Sequence, residues 1–231
     1  MSHVAVGEGE IVNDVPAMRD TVEEDCEHLQ FVEKSDWRSW VTDHGGLAGD
    51  YPLPWIYQLK MLAVVAKKFG VGQLRKMAKS KGVELPQDLL ELEQTPLTLE
   101  QQNALLQNPD FKKAYDHVVQ NHLGKDAKYV IQHKTNKEAY EIALVPHPVH
   151  KGEYVMLADF WQQGKGILNA KGVGQHNPKD GSWGNELKKN YSLRATERSY
   201  QRQMKENPNF VGYKKIQLED GRVAFEMEVR D

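Results

Sequence analysis

One cysteine, Cys26, stands in a chain of 231 residues. No intramolecular disulfide can form, a cysteine-rich zinc site is excluded, and a reducing compartment fits. Long apolar runs are missing as well: the longest, Met61 to Ala66, is too short to span a bilayer. The opening MSHVAVGEGEIVNDV has neither the basic start nor the apolar stretch of a secretory signal. A cytoplasmic location without membrane contact is therefore expected, and Asn190-Tyr191-Ser192 reads as a chance match to a glycosylation acceptor. No Walker pattern is present, because no Gly-Lys-Ser/Thr follows a glycine and four spacers. Basic charge is scarce at the start, where residues 1–60 hold 4 Lys+Arg against 12 Asp+Glu, a balance of −8.

The positive charge is elsewhere. Residues 160–215 hold 11 Lys+Arg against 4 Asp+Glu, a balance of +7 within a chain of net charge −3. Such asymmetry points to an anionic partner for the basic part, or to acidic and basic parts that face each other. The length suits one large domain or two modest ones, and it can bury a core without disulfides or metals. With 39% hydrophobic and 27% charged residues the composition is globular.

Residues 1–13 read as a loose arm. Asp14 can cap a helix with Pro16 in its first turn, and Val15, Met18, Val22, Cys26 and Leu29 recur at helical spacing. Cys26 then lies on the apolar stripe as a buried, inert thiol. Ser35 is expected to start a short helix carrying Trp37 and Trp40. Pro54 opens a longer one with a seam of Trp55, Leu59, Leu62, Ala66 and Phe69, ended by Gly70. A basic helix follows to Gly82, with Leu74, Met77 and Ala78 inward. Helix, glycine turn and basic helix trace the outline of a helix-turn-helix, although antiparallel helices with a solvated basic face share that outline. Thr98 and Asn108-Pro109 cap two more helices, the second with a stripe of Phe111, Tyr115, Val118, Val119 and Leu123.

The pattern changes at Gly124–Asp126. Strands are expected at Tyr129–Ile131, Ala139–Val145 and Tyr154–Phe160. A helix is expected near Leu193–Lys205, and a hairpin at Val211–Leu218 and Val223–Val229 around Asp220-Gly221. The fold class is α+β: a helical N-terminal half, then a mainly antiparallel sheet of about five strands with a glycine-rich loop and one helix inserted. The division is 1–124, acidic and mostly helical, and 125–231, basic and α+β, with packing into one domain left open.

Three constellations could carry chemistry. Gly164, Gly166, Gly172, Gly174, Gly181 and Gly184, with Lys165 and Lys171, could bring backbone N–H groups and charge around an anion. Lys179-Asp180-Gly181 stands one position short of the Lys-x-Asp-Gly of nucleotidyl-transferring ligases, so that reading is set aside. Lys188, Lys189, Arg194, Arg198 and Arg202 form a basic run, its arginines four apart on one helix face, interleaved with Trp183 and Tyr191. Guanidinium forks grip phosphates and aromatic rings stack on bases. His147, His150 and Asp159 could act as acid–base groups; surface histidines are the plainer reading, and no metal or cofactor is expected. A binding protein whose C-terminal half engages a polyanion, nucleic acid first, follows from the arginines. The alternatives are a hydrolase or transferase acting on a phosphate-bearing substrate, and a protein-interaction module such as an inhibitor or effector. The acidic N-terminal half offers a surface for a protein partner.

Overall fold

Strands apolar at nearly every position need cover on both faces, and the central strands of this chain are of that kind. The computed structural model describes residues 6–39, 42–43, 52–159, 167–174, 183–218 and 223–230, with the backbone alone described for 6–10 and 169. Strands β3 (Tyr129–His133), β4 (Ile142–Pro146) and β5 (Tyr154–Asp159) form an antiparallel meander. Two strands from the first half complete the sheet: β1 (Val6–Val12) pairs antiparallel with β5, and β2 (Leu29–Val32) with β3. The strand order is β1-β5-β4-β3-β2.

Alternation sorts the side chains. Val130, Ala143, Val145, Val155 and Leu157 join one buried cluster, and Ile131, Ile142, Leu144, Met156 and Ala158 the other. The first face is covered by α2 (Trp55–Phe69), α3 (Val71–Lys79), α4 (Leu99–Leu106) and α5 (Pro109–Asn121), with a 3-10 turn at Leu89–Glu93. The second is covered by α1 (Val15–Asp25) and by the start of α6 (Asn185–Glu206), through Met18, Val22, Leu187 and Tyr191. A separate two-stranded sheet, β6 (Phe210–Gln217) with β7 (Val223–Val229), follows α6. The protein is α+β, with most of its helices in the N-terminal half.

The capping signals act as their chemistry requires. Asp14 accepts from the Ala17 N–H, Thr98 and Gln101 form a reciprocal box, and Asn108 caps the helix that Pro109 opens. Four expectations need correction. The arm at 1–13 contains β1, because the rim of β5 offers it a backbone ladder. The helix from Val15 ends at Asp25, and Leu29 belongs to a strand whose Leu29 and Phe31 face the core. The segment from Ser35 to Ser39 is irregular, with the Trp37 N–H donating to the Gly124 carbonyl; Trp40 lies outside the described residues. Strands β6 and β7 stay apart from the main sheet, and α6 begins eight residues before Leu193. The Asp220-Gly221 turn lies outside the described residues.

The buried face of α2 is also rotated from the expected seam. Gln58 sits in the core while Phe69 is exposed. The Gln58 amide donates to the Leu53 and Leu97 carbonyls at 2.7 and 3.0 Å and accepts from the Leu97 N–H at 2.7 Å. A buried amide with its bonds satisfied costs little and ties two loops to the helix. At the junction of the halves, Asp126 accepts from the Tyr57 hydroxyl at 2.8 Å and pairs with Lys60, and Gly124 is buried. The passage from helices to strands is therefore knitted into the core.

Cys26 is buried with its Sγ 3.5 Å from the Gly172 carbonyl. Burial, then the nearby Asp25 and Glu186 charges, push its thiol up from an ordinary 9.0 to about 12. The folded protein thus keeps a proton that the unfolded chain releases above pH 9, so this thiol's contribution to stability is lost as pH rises from about 9 toward 12. At pH 8 a thiol reagent is expected to leave Cys26 unmodified in native protein and to label it after denaturation. Stoichiometric labelling of the native protein would contradict the burial.

Candidate functional site

Helix α6 divides into two parts with different neighbours. Its first half packs on α1 and the sheet, with Leu187 and Tyr191 buried. The Tyr191 hydroxyl accepts from the Asn13 and Asp14 N–H groups at 2.9 and 3.2 Å and donates to Asn13 Oδ1 at 3.0 Å. Trp183, just before the helix, is 1% exposed, and Lys188 Nζ stands 4.6 Å from its ring centroid. Neither aromatic face is open to a nucleobase.

The three arginines do share one side of the helix, and that side faces the acids of α1. Arg194 donates through Nε and Nη2 to both Asp25 oxygens at 3.2 and 2.8 Å, and through Nη1 to Glu24 at 2.8 Å. The hydrogen bonds to Asp25 lead those to Glu24 in holding its guanidinium above the ordinary value. Arg198 Nε donates to Asp14 Oδ1 at 3.1 Å, and its Nη1 lies 3.7 Å from Asp20. Arg202 Nη2 stands 3.2 Å from Asp14 Oδ2, an ion pair without hydrogen-bond alignment. The acidic start and the basic end of the chain thus meet within the molecule, at a carboxylate that is 5% exposed.

The last six residues of α6, Gln201 to Glu206, are exposed, and the hairpin packs on Tyr200 just before them. Tyr200 meets Phe210, Tyr213 and Phe225 with ring centroids 6.1, 5.5 and 5.3 Å apart. The register pairs Phe210 with Val229, Tyr213 with Met227 and Lys215 with Phe225, which places all six on the hairpin face toward α6. Lys215 Nζ reaches Glu197 at 2.7 Å from that face, while Lys214 pairs with Glu228 on the other at 3.0 Å. The helix covers this inner face incompletely. Met227 is 52% exposed, Val229 61%, and Met204, one turn beyond Tyr200, 36%. The alternation of Val223, Phe225, Met227 and Val229 reads in sequence as a strand facing a core. What gives the exposure away is the covering helix, whose last two turns offer only Tyr200 and Met204 as large apolar side chains.

The remaining sequence-derived residues scatter. Lys171 and Lys189 are exposed, and Lys165 lies outside the described residues. Of the glycine-rich stretch, 170–174 is stitched to the end of α1 by the Glu27 N–H, which donates to the Lys171 carbonyl at 3.1 Å. Gly172 holds φ +87 there, and a Cβ would stand 2.1 Å from the Asp25 carbonyl oxygen, so this glycine serves chain packing.

His147 is buried instead of lying at the surface. Its Nδ1 accepts from the Val149 and His150 N–H groups at 3.2 and 3.0 Å, which leaves the neutral ring's proton on Nε2, 3.4 Å from a Glu93 oxygen. The ring thereby shapes its own loop, with His150 4.5 Å away between centroids. Asp159 is buried at the far end of β5, whose first residue Tyr154 pairs with Pro146. Five strand residues span about 16 Å, so Asp159 and the histidines lie at opposite ends of the sheet. Arg75 of α3 donates to the Leu85, Pro86 and Gln87 carbonyls, and Lys68 of α2 pairs with Asp110. Among the described residues no cluster of three His, Cys, Asp or Glu could hold a metal ion, and no helix is long and apolar enough to cross a membrane.

Compared with models of protein families, with curated proteins and with solved structures, the chain matches none.

The buried Asp14 sets a stability test. Replacing Arg198 and Arg202 together by Ala leaves that carboxylate short of both cations and is expected to cost about 1–3 kcal/mol in denaturant unfolding. An unchanged midpoint would show that the pairs are passive.

Proposed function

We propose that the chain is a protein-interaction module that takes an apolar-faced partner segment along β7 of its C-terminal hairpin. The observation that carries this reading is the half-covered inner face at Met204, Met227 and Val229. Of the 10 exposed large hydrophobic residues among those described, six fall on this extension, with Met204, Met227 and Val229 on the inner side and Ile216 on the outer face of the hairpin. Clustered apolar exposure of that kind marks sites that a partner covers. Strands β6 and β7 pair only with each other among the described residues, so each leaves an open edge that an extended segment can join. A two-stranded hairpin is marginal by itself, and a partner that buried these residues would stabilise it. A cytoplasmic setting, where one thiol stays reduced, is part of the proposal. His147, His150 and Asp159 are not proposed as a catalytic set, since Asp159 lies at the opposite end of the sheet from the two histidines.

The double change Met227→Glu and Val229→Glu is expected to leave the circular dichroism spectrum unchanged while abolishing the complex. Light scattering after gel filtration reads self-association, and quantitative capture with the variant as control reads a different partner. A monomeric wild type that retains nothing the variant loses would end this reading.

A polyanion remains a second reading, favoured by the exposed Lys171 and Lys189, whose ammonium groups have no partner among the described residues. On this reading Lys171→Ala with Lys189→Ala lowers the slope of log affinity against log salt by about 0.7–0.9 per lost contact, measured with single- and double-stranded oligonucleotides. The absence of any affinity at low salt removes it.

A further inference from the structure

On the first face of the sheet the helical layer stops short. Helix α5 ends at Asn121, and beyond it a cleft of about 810 Å³ opens over β2 and β3, within the range of small-molecule sites. The change is written in the strands. Val32 and Val130 pack against the apolar cluster of this face, whereas Gln30 and Gln132, two residues along each strand, line the cleft. The two glutamines are directly opposed in the ladder, so their amides lie side by side on the floor. Neither amide has a hydrogen-bond partner among the described residues. Val119, half-buried, supplies apolar wall; Trp37 and Leu123 border the cleft but are 2% and 4% exposed.

Apart from Asp36, an exposed carboxylate, and Lys125, which donates to the Gln120 carbonyl at 2.6 Å, the charges of the cleft fall into two groups. One group is spent on structure. Glu141 accepts from Lys34 Nζ and from the Arg38 N–H, both at 2.7 Å, and the Arg38 guanidinium donates to Asp43, Glu138 and the Lys137 carbonyl. The other group is presented. Lys134 and Lys137 line the cleft, are exposed, and have ammonium groups without a partner among the described residues. Their turn is held in shape: His133 Nδ1 accepts from the Thr135 and Asn136 N–H groups at 3.2 and 2.9 Å, Asn136 Oδ1 accepts from the Glu138 N–H at 3.0 Å, and the Lys134 N–H donates to the His28 carbonyl at 2.8 Å. Two exposed cations on a fixed turn, above a floor of adjacent amides, form a prearranged receptor.

We infer that this cleft binds a small organic anion. Its hydrogen-bonding, partly apolar body rests on Gln30 and Gln132 beside Val119, and its phosphate or carboxylate end meets Lys134 and Lys137. The site is independent of the hairpin surface. Amides donate and accept at once, which suits a heterocycle or a hydroxyl-rich body, and ammonium groups suit either oxyanion.

Titration calorimetry with adenosine monophosphate, citrate and inorganic phosphate tests it. At least one of the two organic anions is expected to bind with Kd below about 1 mM, more tightly than inorganic phosphate and more weakly as salt rises. Lys134→Ala with Lys137→Ala is expected to weaken binding about tenfold or more, Lys134→Arg to retain it, and Gln132→Leu to weaken the organic anion but not phosphate. Melting temperature and circular dichroism on each variant separate lost binding from lost fold. Preference for adenosine monophosphate over citrate assigns the phosphate end, and the reverse assigns the carboxylate. The inference is overturned if neither organic anion binds below that limit, if phosphate alone binds as tightly, or if the lysine and glutamine variants bind like the wild type.

Discussion

The central strands are apolar on both faces, and the architecture follows from that demand. Val130 and Ile131, Val145 and Leu144, Val155 and Met156 each point to opposite sides of the sheet, and both members of each pair are buried. One face can be covered by the helices that lie between β2 and β3 in the chain. The other needs cover from outside that block, and it receives α1 from the start and α6 from near the end. Bringing those two helices together on one face is what places the acidic and basic parts of the chain in contact. The ion pairs at Asp14, Glu24 and Asp25 are thus a consequence of sheet coverage. Exposed pairs of this kind add little each, but Asp14 is buried and depends on its partners.

Much of the local structure was legible because its causes are local. Asp14, Thr98 and Asn108-Pro109 cap helices through bonds made within three residues, and the strands from Tyr129 to Asp159 announce themselves by composition. The misses have nonlocal causes. Strands β1 and β2 are edge strands, specified by the ladders that β5 and β3 offer. Gln58 breaks the apolar count of its helix because its amide serves, besides nearby Leu53, both backbone groups of Leu97, which lies 39 residues on. His147 is the exception: the N–H groups its ring accepts from lie two and three residues on, in the turn it shapes, and a histidine in a Pro-rich loop reads as a surface group.

The site was less legible than the fold. Arg194, Arg198 and Arg202 do line one helix face, as spacing by four requires, but spacing cannot say what that face meets. The net charges of −8 and +7 admitted both an external polyanion and an internal match, and in the fold the arginines meet acids of the same chain. Trp183 and Tyr191 follow the same logic, since an aromatic among cations suits a nucleobase platform and a buried anchor equally well. The cleft at Gln30 and Gln132 left a fainter mark, an amide where the alternation of each strand calls for an apolar side chain.

That mark connects the two surfaces on which function is proposed, because both lie where a layer of cover runs out. Over β2 and β3 the helical layer ends and the strand residues turn from valine to glutamine, so the uncovered region is polar and suits a small hydrated ligand. Beside β7 the covering helix runs on but loses its apolar side chains, while the strand keeps Met227 and Val229. Sequence and cover agree at the first site and disagree at the second. A chain gains nothing for its own fold from apolar residues facing water, whereas unpaired amides facing water are satisfied by it. On the proposed reading the mismatch at the hairpin calls for a second molecule in a way that the cleft does not, and this difference in physical demand separates the two proposals.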